Sequence, residues 1–435
     1  MSARNRELLA LVPASLLLTA GFAAIFIQQS AELSDVSLTY GAGFLLLCLC
    51  GHFVIRATLP HADPYLFPLV AVLACFGLVV IYRIDETLAR EQAQWFVVGL
   101  VLFAATLVFL RDFRVLERYR YTVAAAGLLL LLLPRVPVIG EQVNGAYLGV
   151  SIGPVSFQPA EFAKLAIVVF LAAYLRDTRE LLVQGSRRLL GVTIPPLKHF
   201  GPLLVVWGGA MVMLVFIRDL GSSLMFFGGF LALLYVATNR LSFVTIGFGL
   251  FALGAWFFAN TVGHVQNRID TWRDPFDPAL YEMQGGSYQI AQSLFAQADG
   301  GLFGTGFGQA LIEQADGTSI LPAPQTDLIY AVITNELGLA GACGLLLVYL
   351  MVAERGFKIA MQARDSFSKL LAAGLTAVFA LQVFVIVGGV TKVIPLTGVT
   401  LPFVSYGGSS IVANFVLLAL LLLISDRARR PAVAR

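Results

Sequence analysis

An aspartate stands at the point where a polar loop enters a long apolar segment. Asp327 follows Thr326 and precedes an apolar run that continues to about residue 353. Thr-Asp before such a run is a good helix start, so Asp327 could act only as an N-cap. A capping carboxylate can still accept a proton, however. An acid held at the end of a membrane segment costs free energy, so its presence needs a reason.

Three further ionisable residues are expected at the same depth. Glu161 and Lys164 begin one apolar segment, and Asp219 follows another. The i,i+3 spacing of Glu161 and Lys164 places them on one helix face, about 4.5 Å apart along the axis. Ionisable groups in membranes usually find partners, which makes a Lys164–Asp327 ion pair a hypothesis. The alternative is that Lys164 extends to the membrane surface.

A carboxylate is also expected inside the membrane. Glu336 lies two to three turns further along the segment that Asp327 begins. Hydrogen bonding between helices, or protonation of Glu336, explains this residue without catalysis. We favour that structural interpretation.

Two glycine-rich segments could either approach a ligand or pack closely. Residues 300–308 contain five glycines, whose backbone freedom could bring amides near a phosphate. Because no strand precedes them and no Walker lysine follows, a tight turn without a ligand is favoured. Residues 405–410, Ser-Tyr-Gly-Gly-Ser-Ser, interrupt the last apolar segment, and close helix packing explains them as well as a ligand does.

A short amphipathic segment precedes the first of these. Residues 288–298 alternate apolar and polar side chains with helical spacing, which predicts a helix lying at the membrane interface. Its apolar stripe consists of Ile290, Ala291, Leu294, Phe295 and Ala298.

The composition places all these residues in a membrane protein. Of the 435 residues, 58% are hydrophobic and only 13% are charged, and the mean hydropathy is +0.83. These values lie far from those of soluble domains. We therefore predict an all-α polytopic membrane protein with about twelve transmembrane helices. The predicted spans are residues 8–28, 38–56, 65–82, 95–110, 121–134, 160–175, 201–217, 222–238, 242–262, 328–353, 368–390 and 404–425.

The distribution of Lys and Arg predicts the orientation, because cationic loops stay on the cytoplasmic side. The large loop between predicted helices 9 and 10, residues 264–326, holds only Arg268 and Arg273 and is predicted to be extracytoplasmic. Both termini are then cytoplasmic. The predicted cytoplasmic segments hold Arg4, Arg6, Arg111, Arg114, Arg118, Arg120, Arg176, Arg179, Arg187, Arg188, Lys198, Arg355, Lys358, Arg364, Lys369, Arg427, Arg429 and Arg430.

Other function classes are disfavoured. The net charge of +3 is a topology signal, and the basic residues have no interleaved aromatic platform, so nucleic acid is not an expected partner. The four cysteines lie in predicted helices without metal-type spacing, so neither a structural zinc site nor a disulfide is expected.

An ordered set of motifs resembles the SEDS family of cell-shape, division and sporulation proteins, from about residue 63 to the C-terminus. Residues 157–165, Phe-Gln-Pro-Ala-Glu-Phe-Ala-Lys-Leu, resemble the family's FQPSE-x-x-K segment, and residues 219–222 resemble its D-x-G-[ST] turn. Residues 321–338 match its block LP-x-x-x-TDFIF-x-x-x-x-E-x-G, and residues 405–410 carry its SYGGSS signature. The large loop adds Arg268, Asp274-Pro275, Tyr288-Gln289, Gln292-Ser293, Gly300-Gly301 and Gly304-x-Gly306.

The resemblance implies a domain organisation. Residues 61–426 correspond to a ten-helix catalytic core that includes the loop 264–326. Residues 1–60 form two extra N-terminal helices with no counterpart in that core, and they are interpreted as a docking element or as anchors. Residues 427–435 form a basic cytoplasmic tail.

The resemblance also implies a function. Family members polymerise lipid II, the undecaprenyl-pyrophosphate-linked disaccharide-pentapeptide, into peptidoglycan glycan strands outside the cytoplasmic membrane, with inversion at the anomeric carbon. The motifs place the essential acid on Asp327 and its basic neighbour on Lys164, beside Glu161. The substrate-binding residues carried over are Asp219, Arg268, Gln289, Gln292, Ser293, Thr326, Glu336, Ser405, Tyr406, Gly407, Gly408 and Ser409.

The implied partner is a class B penicillin-binding protein, since the chain has no soluble domain large enough for cross-linking. No cofactor is implied, and a divalent-cation requirement stays open. Residues 395–398, Pro-Leu-Thr-Gly, favour an elongation-type member, whereas residues 400–402, Thr-Leu-Pro, favour a division-type member.

One departure keeps other functions open. The family commonly has an Arg-Trp pair where this chain has Leu148 and Gly149. The first alternative is a non-catalytic scaffold that activates a transpeptidase. The second is a lipid II transporter, although no internal repeat of the kind common in transporters is visible.

Overall fold

The computed structural model describes residues 3–30, 35–143, 146–153, 155–184, 187–189, 192–194, 208, 219–261, 263–283, 285–310, 312 and 320–431. The seventh predicted span, residues 201–217, lies outside the described residues except for residue 208. Lys198, one of the predicted cytoplasmic cations, also lies outside them.

Helices dominate the described part of the chain. The first seven are α1 (Ala3–Ser30), α2 (Asp35–Thr58), α3 (Leu66–Ile84), α4 (Glu86–Phe109), α5 (Val115–Arg118), α6 (Arg120–Leu132) and α7 (Pro159–Gln184). The remainder are α8 (Leu220–Thr238), α9 (Leu241–Thr261), α10 (Gly263–Arg273), α11 (Pro278–Glu282), α12 (Tyr288–Gly300), α13 (Ile329–Gln362), α14 (Ser366–Val390) and α15 (Gly408–Arg429).

Two small antiparallel sheets accompany the helices and were not predicted. Strands β1 (Gly140–Val143), β2 (Ala146–Ile152) and β3 (Val155–Phe157) form one sheet in that order. Val150 of β2 pairs with Gly140 on one side and with Phe157 on the other. Strands β4 (Arg187–Leu189) and β5 (Val192–Ile194) form a hairpin.

The prediction of an all-α polytopic membrane protein is confirmed, but the count of twelve spans is not. Within the described residues, eight helices are long and apolar enough to cross a membrane: α1, α2, α3, α4, α8, α13, α14 and α15. Helix α6 has only 13 residues, about 20 Å, which is short of the roughly 30 Å hydrocarbon core. Helix α9 contributes a shorter apolar stretch, Leu241–Phe257. Helix α7 has 26 residues, but its second half carries charges, including Arg176 and Asp177.

Helix α15 lies at the centre of the bundle and packs along α4. Its side chains are buried along almost the whole helix, and Phe415 contacts the rings of Phe96, Phe103 and Phe403 at centroid distances of 5.2, 6.0 and 5.3 Å. Gly99 of α4 lets Phe415 approach, because a Cβ there would come within 2.5 Å of the ring. A central apolar helix of this kind gives the bundle its core.

The two N-terminal helices are joined to the rest of the bundle by buried charges. Glu7 of α1 forms an ion pair with Arg4, and its Oε1 lies within hydrogen-bond distance of His52 Nδ1 of α2, at 2.7 Å. Arg4 also donates to the backbone carbonyl of Ala62, in the loop between α2 and α3. These contacts favour a docked hairpin over two independent anchors, because buried ionic groups are stable only when their partners stay in place.

The glycines of residues 300–308 pack against a kink in α13. Gly338 has φ 67° and ψ −173°, a conformation that only glycine adopts readily. The amides freed by this kink are satisfied, since Leu339 N donates to Gly301 O and Ala340 N to Leu302 O, both at 3.0 Å. A Cβ on Gly304 would lie 2.1 Å from the carbonyl oxygen of Glu336. These glycines therefore serve close backbone packing.

Replacing Gly338 with alanine is expected to destabilise the protein by about 2 kcal/mol or more. The added Cβ would lie 2.3 Å from Gly304 N, and the backbone conformation would be strained as well. The midpoint of thermal unfolding in detergent measures this loss. Gly344→Ala is the matched control, because Gly344 lies in the same helix with no atom within 4 Å of the added Cβ. Equal midpoints in the two variants would contradict the prediction.

Candidate active site

Asp327 lies in the turn that leads into α13 and is partly accessible. The prediction that it caps this helix is wrong. The helix begins at Ile329, and its cap residue is Leu328, which makes no side-chain capping bond. Within the described residues, no hydrogen bond or ion pair engages the Asp327 carboxylate. It faces Gly398, where a Cβ would lie 3.5 Å from Oδ2. An acid without a structural partner is available for chemistry.

The surroundings of Asp327 make it a weaker acid than a solvated aspartate. Burial is the main cause and raises its pKa to about 6. The positive charge of Arg268 acts in the opposite direction, and the negative charge of Asp219 raises the pKa further. With a pKa near 6, the carboxylate is ionised at neutral pH and is basic enough to accept a proton from an attacking hydroxyl group.

Residues 396–400 connect Asp327 with the two groups that influence its charge. Arg268 of α10 donates to the carbonyl of Leu396 at 2.9 Å. Gly221, in the first turn of α8, lies so close to this segment that a Cβ would come within 2.2 Å of Val399. We call residues 396–400 the site segment.

Asp219 is the buried N-cap of α8. Its carboxylate accepts from Ser222 N at 2.9 Å and from Ser222 Oγ at 2.6 Å. Burial raises the pKa of Asp219, and the bonds from Ser222 oppose that change. Because both carboxylate oxygens are engaged by its own helix, Asp219 is suited to fix the start of α8 next to the site segment.

Lys164 does not pair with Asp327, which corrects the ion pair considered from the sequence. Both Lys164 and Glu161 are buried, and their charged atoms lie 2.5 Å apart, as their helical spacing suggested. Lys164 Nζ also donates to Gln382 Oε1 at 2.7 Å. Gln382 Nε2 in turn donates to the carbonyl of Thr400 at 2.9 Å. Lys164 thus reaches the end of the site segment through Gln382, and the cation that acts on Asp327 is Arg268.

The Ser-Tyr-Gly-Gly-Ser-Ser residues bind the turn that carries Asp327. Ser405 Oγ donates to the carbonyl of Thr326, and Tyr406 N donates to the carbonyl of Gln325, both at 2.8 Å. Helix α15 begins only at Gly408, later than the predicted residue 404, because this segment forms a loop. These two hydrogen bonds fix the turn that carries Asp327 to the loop before α15.

The same loop binds two further segments. Ser409 Oγ accepts from Gln158 N at 2.7 Å, which joins the start of α7 to the start of α15. Gly407 N donates to Gln92 Oε1 at 3.1 Å. Gly408 packs on Trp95, whose ring a Cβ would meet at 2.3 Å. Since these atoms are engaged inside the protein, positioning is better supported for them than direct substrate contact.

The short helices α11 and α12 cover the C-terminal end of α14. Ser293 Oγ of α12 donates to the carbonyl of Val390 at 3.1 Å, and Gln292 Nε2 donates to Tyr281 Oη at 2.8 Å. Gln289 is exposed. The predicted apolar stripe is only partly buried: Ile290 and Ala291 are in the interior, whereas 48% of Phe295 is exposed. The polar Ser293 lies inward because it meets a free helix C-terminus.

Glu336 lies apart from this chemistry. Its carboxylate forms a buried ion pair with Arg83 of α3 at 2.8 Å, and Arg83 also donates to the carbonyls of Gly308 and Ala310. The structural interpretation of Glu336 is therefore supported. Arg83, Gln92 and Gln382 were missed from the sequence, although each is a polar residue in or beside an apolar run and could have been noticed for that reason.

The departure from the family pattern at Leu148 and Gly149 can be located in the structure. Leu148 and Gly149 lie in β2, where Gly149 pairs with Glu141 of β1. The carboxylate of Glu141 accepts from the hydroxyls of Ser151 and Ser156, both at 2.8 Å. In the part of the chain that the structure describes, no group of three or more His, Cys, Asp or Glu side chains could hold a metal ion.

Comparisons with known proteins agree with this arrangement. Residues 64–430 match the family model FTSW_RODA_SPOVE, described as cell cycle protein. Peptidoglycan glycosyltransferase RodA of Mycobacterium tuberculosis (strain ATCC 25618 / H37Rv) is 42% identical, and the alignment covers 99% of this chain and 92% of that protein. Stage V sporulation protein E of Bacillus subtilis is 30% identical over 84% of this chain and 98% of its own length. The two N-terminal helices thus have counterparts in the mycobacterial relative, although they precede the family match.

Solved structures give the same result. A chain from a peptidoglycan synthase complex that coordinates polymerization and crosslinking is 28% identical, with a TM-score of 0.66, covering 85% of this chain and 98% of that one. Rod shape determining protein RodA of Thermus thermophilus is 27% identical, with a TM-score of 0.59 and coverages of 85% and 98%.

Proposed function

The chain belongs to the FtsW/RodA/SpoVE family of cell cycle proteins, and we propose that it is a peptidoglycan glycosyltransferase that polymerises lipid II with Asp327 as its general base. The observation that carries this assignment is the carboxylate of Asp327, a partly exposed residue, which is engaged by no other side chain of the described residues and influenced by Arg268. Its relatives at 42% identity are named peptidoglycan glycosyltransferase RodA.

The reaction requires one proton acceptor and stabilisation of one leaving group. A hydroxyl of the acceptor sugar attacks the anomeric carbon of the donor and gives its proton to Asp327. The bond from that carbon to the pyrophosphate oxygen breaks, and undecaprenyl pyrophosphate leaves with the electron pair. Attack opposite an α-linked leaving group gives a β-glycosidic bond, which is inversion. Arg268 is placed to stabilise the developing negative charge.

Lys164 acts as a positioning residue in this proposal. Its bond to Gln382 joins α7 to α14, its pair with Glu161 lies within α7, and Gln382 fixes Thr400 at the end of the site segment. The Ser-Tyr-Gly-Gly-Ser-Ser loop positions the Asp327 turn from the other side. Small displacements of either support are expected to lower turnover strongly, because the reacting atoms must be held within a narrow range of distances.

The orientation and the partner are part of the proposal. The cationic loops favour cytoplasmic termini and an extracytoplasmic Asp327. Val138, 91% exposed near the sheet that precedes α7, offers a test: a cysteine there should react with a membrane-impermeant maleimide in intact cells. A class B penicillin-binding protein is the proposed partner, since the solved relative belongs to a complex that joins polymerization to crosslinking.

The rate of polymerisation is expected to rise with pH through an apparent pKa near 6. Below this pH Asp327 is protonated and cannot accept a proton, so kcat/KM should fall about tenfold per pH unit. Because Arg268 lowers the pKa of Asp327, Arg268→Gln should move the acid limb to higher pH. Rates on labelled lipid II from about pH 4.5 to 8 measure both effects. An acid limb at the same pH in both proteins would contradict the coupling.

A further inference from the structure

A polar cleft lies at the end of the helix bundle opposite Asp327. Helices α4 and α15 both begin near the site, where Tyr406 donates to Glu91, and both end at this cleft. Its volume is about 590 Å³. Its walls are formed by residues 111–114 after α4, by the turn 363–368 between α13 and α14, and by the last turn of α15.

Arginine is in excess among the residues that line this cleft, which we call the arginine cleft. Its three aspartates are each engaged: Arg114 pairs with Asp365 at 2.9 Å, Arg427 with Asp112 at 3.0 Å and Arg430 with Asp426 at 2.7 Å. Two arginines remain. Arg364 donates to the backbone carbonyl of residue 430, and Arg111 makes no hydrogen bond or ion pair within the described residues. Two positive charges are therefore not neutralised by the cleft itself.

The rest of the lining is apolar apart from Ser368, and its large apolar side chains are almost fully buried. Leu59, Phe113, Leu423 and Ile424 contribute to the same cleft, and the guanidinium of Arg427 lies 5.7 Å from the centre of the Phe113 ring. Guanidinium groups match phosphate oxygens in geometry and charge. The phosphate of a membrane lipid can reach these guanidinium groups while its acyl chains stay in the membrane beside the helices. An arginine-rich pocket between transmembrane helices on the cytoplasmic side is a known setting for anionic lipid headgroups.

We propose that the arginine cleft binds the headgroup of an anionic phospholipid, with the phosphate held by Arg111 and Arg364 and the acyl chains in the surrounding membrane. Positively charged cytoplasmic loops also set the orientation of a membrane protein. That role does not require the cations to line a common cleft, as they do here. This site is independent of the glycosyltransferase reaction, since it shares no residue with the Asp327 site and lies at the other end of α15.

The test measures binding of fluorescent phosphatidylglycerol to the purified full-length protein in neutral detergent. The double variant Arg111→Gln/Arg364→Gln is expected to weaken binding about thirtyfold. The single variant Arg111→Gln, at an exposed residue, is expected to weaken binding about fivefold. The control is Arg118→Gln/Lys358→Gln, which removes two positive charges at the same end but outside the cleft, and should leave the affinity unchanged.

Three outcomes would overturn the proposal. Equal losses in the cleft and control variants would indicate attraction to basic surface in general. Equal affinity for phosphatidylcholine would show that the negative charge of the lipid is not recognised. Displacement by excess inorganic phosphate would assign the cleft to free phosphate instead of a lipid. Thermal unfolding midpoints of all variants confirm that folded proteins are compared, and Arg111→Gln alone decides if the double variant fails to fold.

Discussion

Replacing Asp327 with asparagine is expected to lower the rate of glycan polymerisation by about a thousandfold without loss of the fold. Asparagine has nearly the same shape but cannot accept the proton of the attacking hydroxyl. No hydrogen bond or ion pair depends on the Asp327 carboxylate within the described residues, and its burial makes the ionised form costly. The folded protein should therefore be as stable as wild type or slightly more so. The measurement is polymer formation from labelled lipid II by the purified protein with its transpeptidase partner.

The matched control for this variant is Asp299→Asn. Asp299 is an exposed acid at the end of α12, so its replacement removes the same charge from the outer elements and should leave the rate unchanged. Substantial polymer from folded Asp327→Asn would exclude Asp327 as the base. Absence of polymer from the wild-type complex, with both proteins folded, would instead favour the scaffold or the transporter.

Local spacing predicted those parts of the site that depend on neighbouring residues. The i,i+3 relation placed Glu161 and Lys164 on one helix face, because a single helix turn fixes that geometry, although the ion pair itself was expected between Lys164 and Asp327. The polar entry into an apolar run identified Asp327, since a charge at that depth is costly whatever the fold. The cluster of glycines at residues 300–308 predicted a tight turn for the same local reason.

Contacts between distant segments could not be obtained in this way. Lys164 binds Gln382, 218 residues later in the chain, and Arg83 pairs with Glu336 of a different helix. Nothing in the sequence near Lys164 distinguishes Gln382 from Asp327 as its partner, because both enter from other helices. The kink at Gly338, which the glycine turn covers, also depends on the packing of two segments. Only the assembled bundle decides such pairings.

The helix lengths differ from the predicted spans for a related reason. Hydropathy identifies a segment but does not show how long its helix is. The run at residues 121–134 is apolar throughout, yet α6 ends at Leu132 and continues as a short 3-10 turn through Pro134. Helix α7, in contrast, extends to Gln184, nine residues beyond its predicted end, because its charged second half pairs with neighbours, as Arg176 does with Glu117.

Lys164→Met is expected to destabilise the protein by about 3–5 kcal/mol, because it leaves the buried carboxylate of Glu161 without its cation. The lost bond to Gln382 would also release Thr400 and with it the end of the site segment. Polymerisation should fall together with stability. The thermal unfolding midpoint in detergent and the rate on labelled lipid II measure the two effects separately.

The double variant Glu161→Gln/Lys164→Met separates positioning from direct contact with the substrate. It removes both charges, so no unpaired ion stays buried, and most of the lost stability should return. This variant still lacks the bond to Gln382, so if Lys164 positions the site segment through Gln382, polymerisation should stay low and Gln382→Leu should lower it to the same extent. Wild-type polymerisation in folded Gln382→Leu, together with a stable double variant as inactive as Lys164→Met, would show that the ammonium group itself acts on the reacting pyrophosphate. Lys164 would then be a catalytic residue together with Asp327, and the route through Gln382 would be of secondary importance.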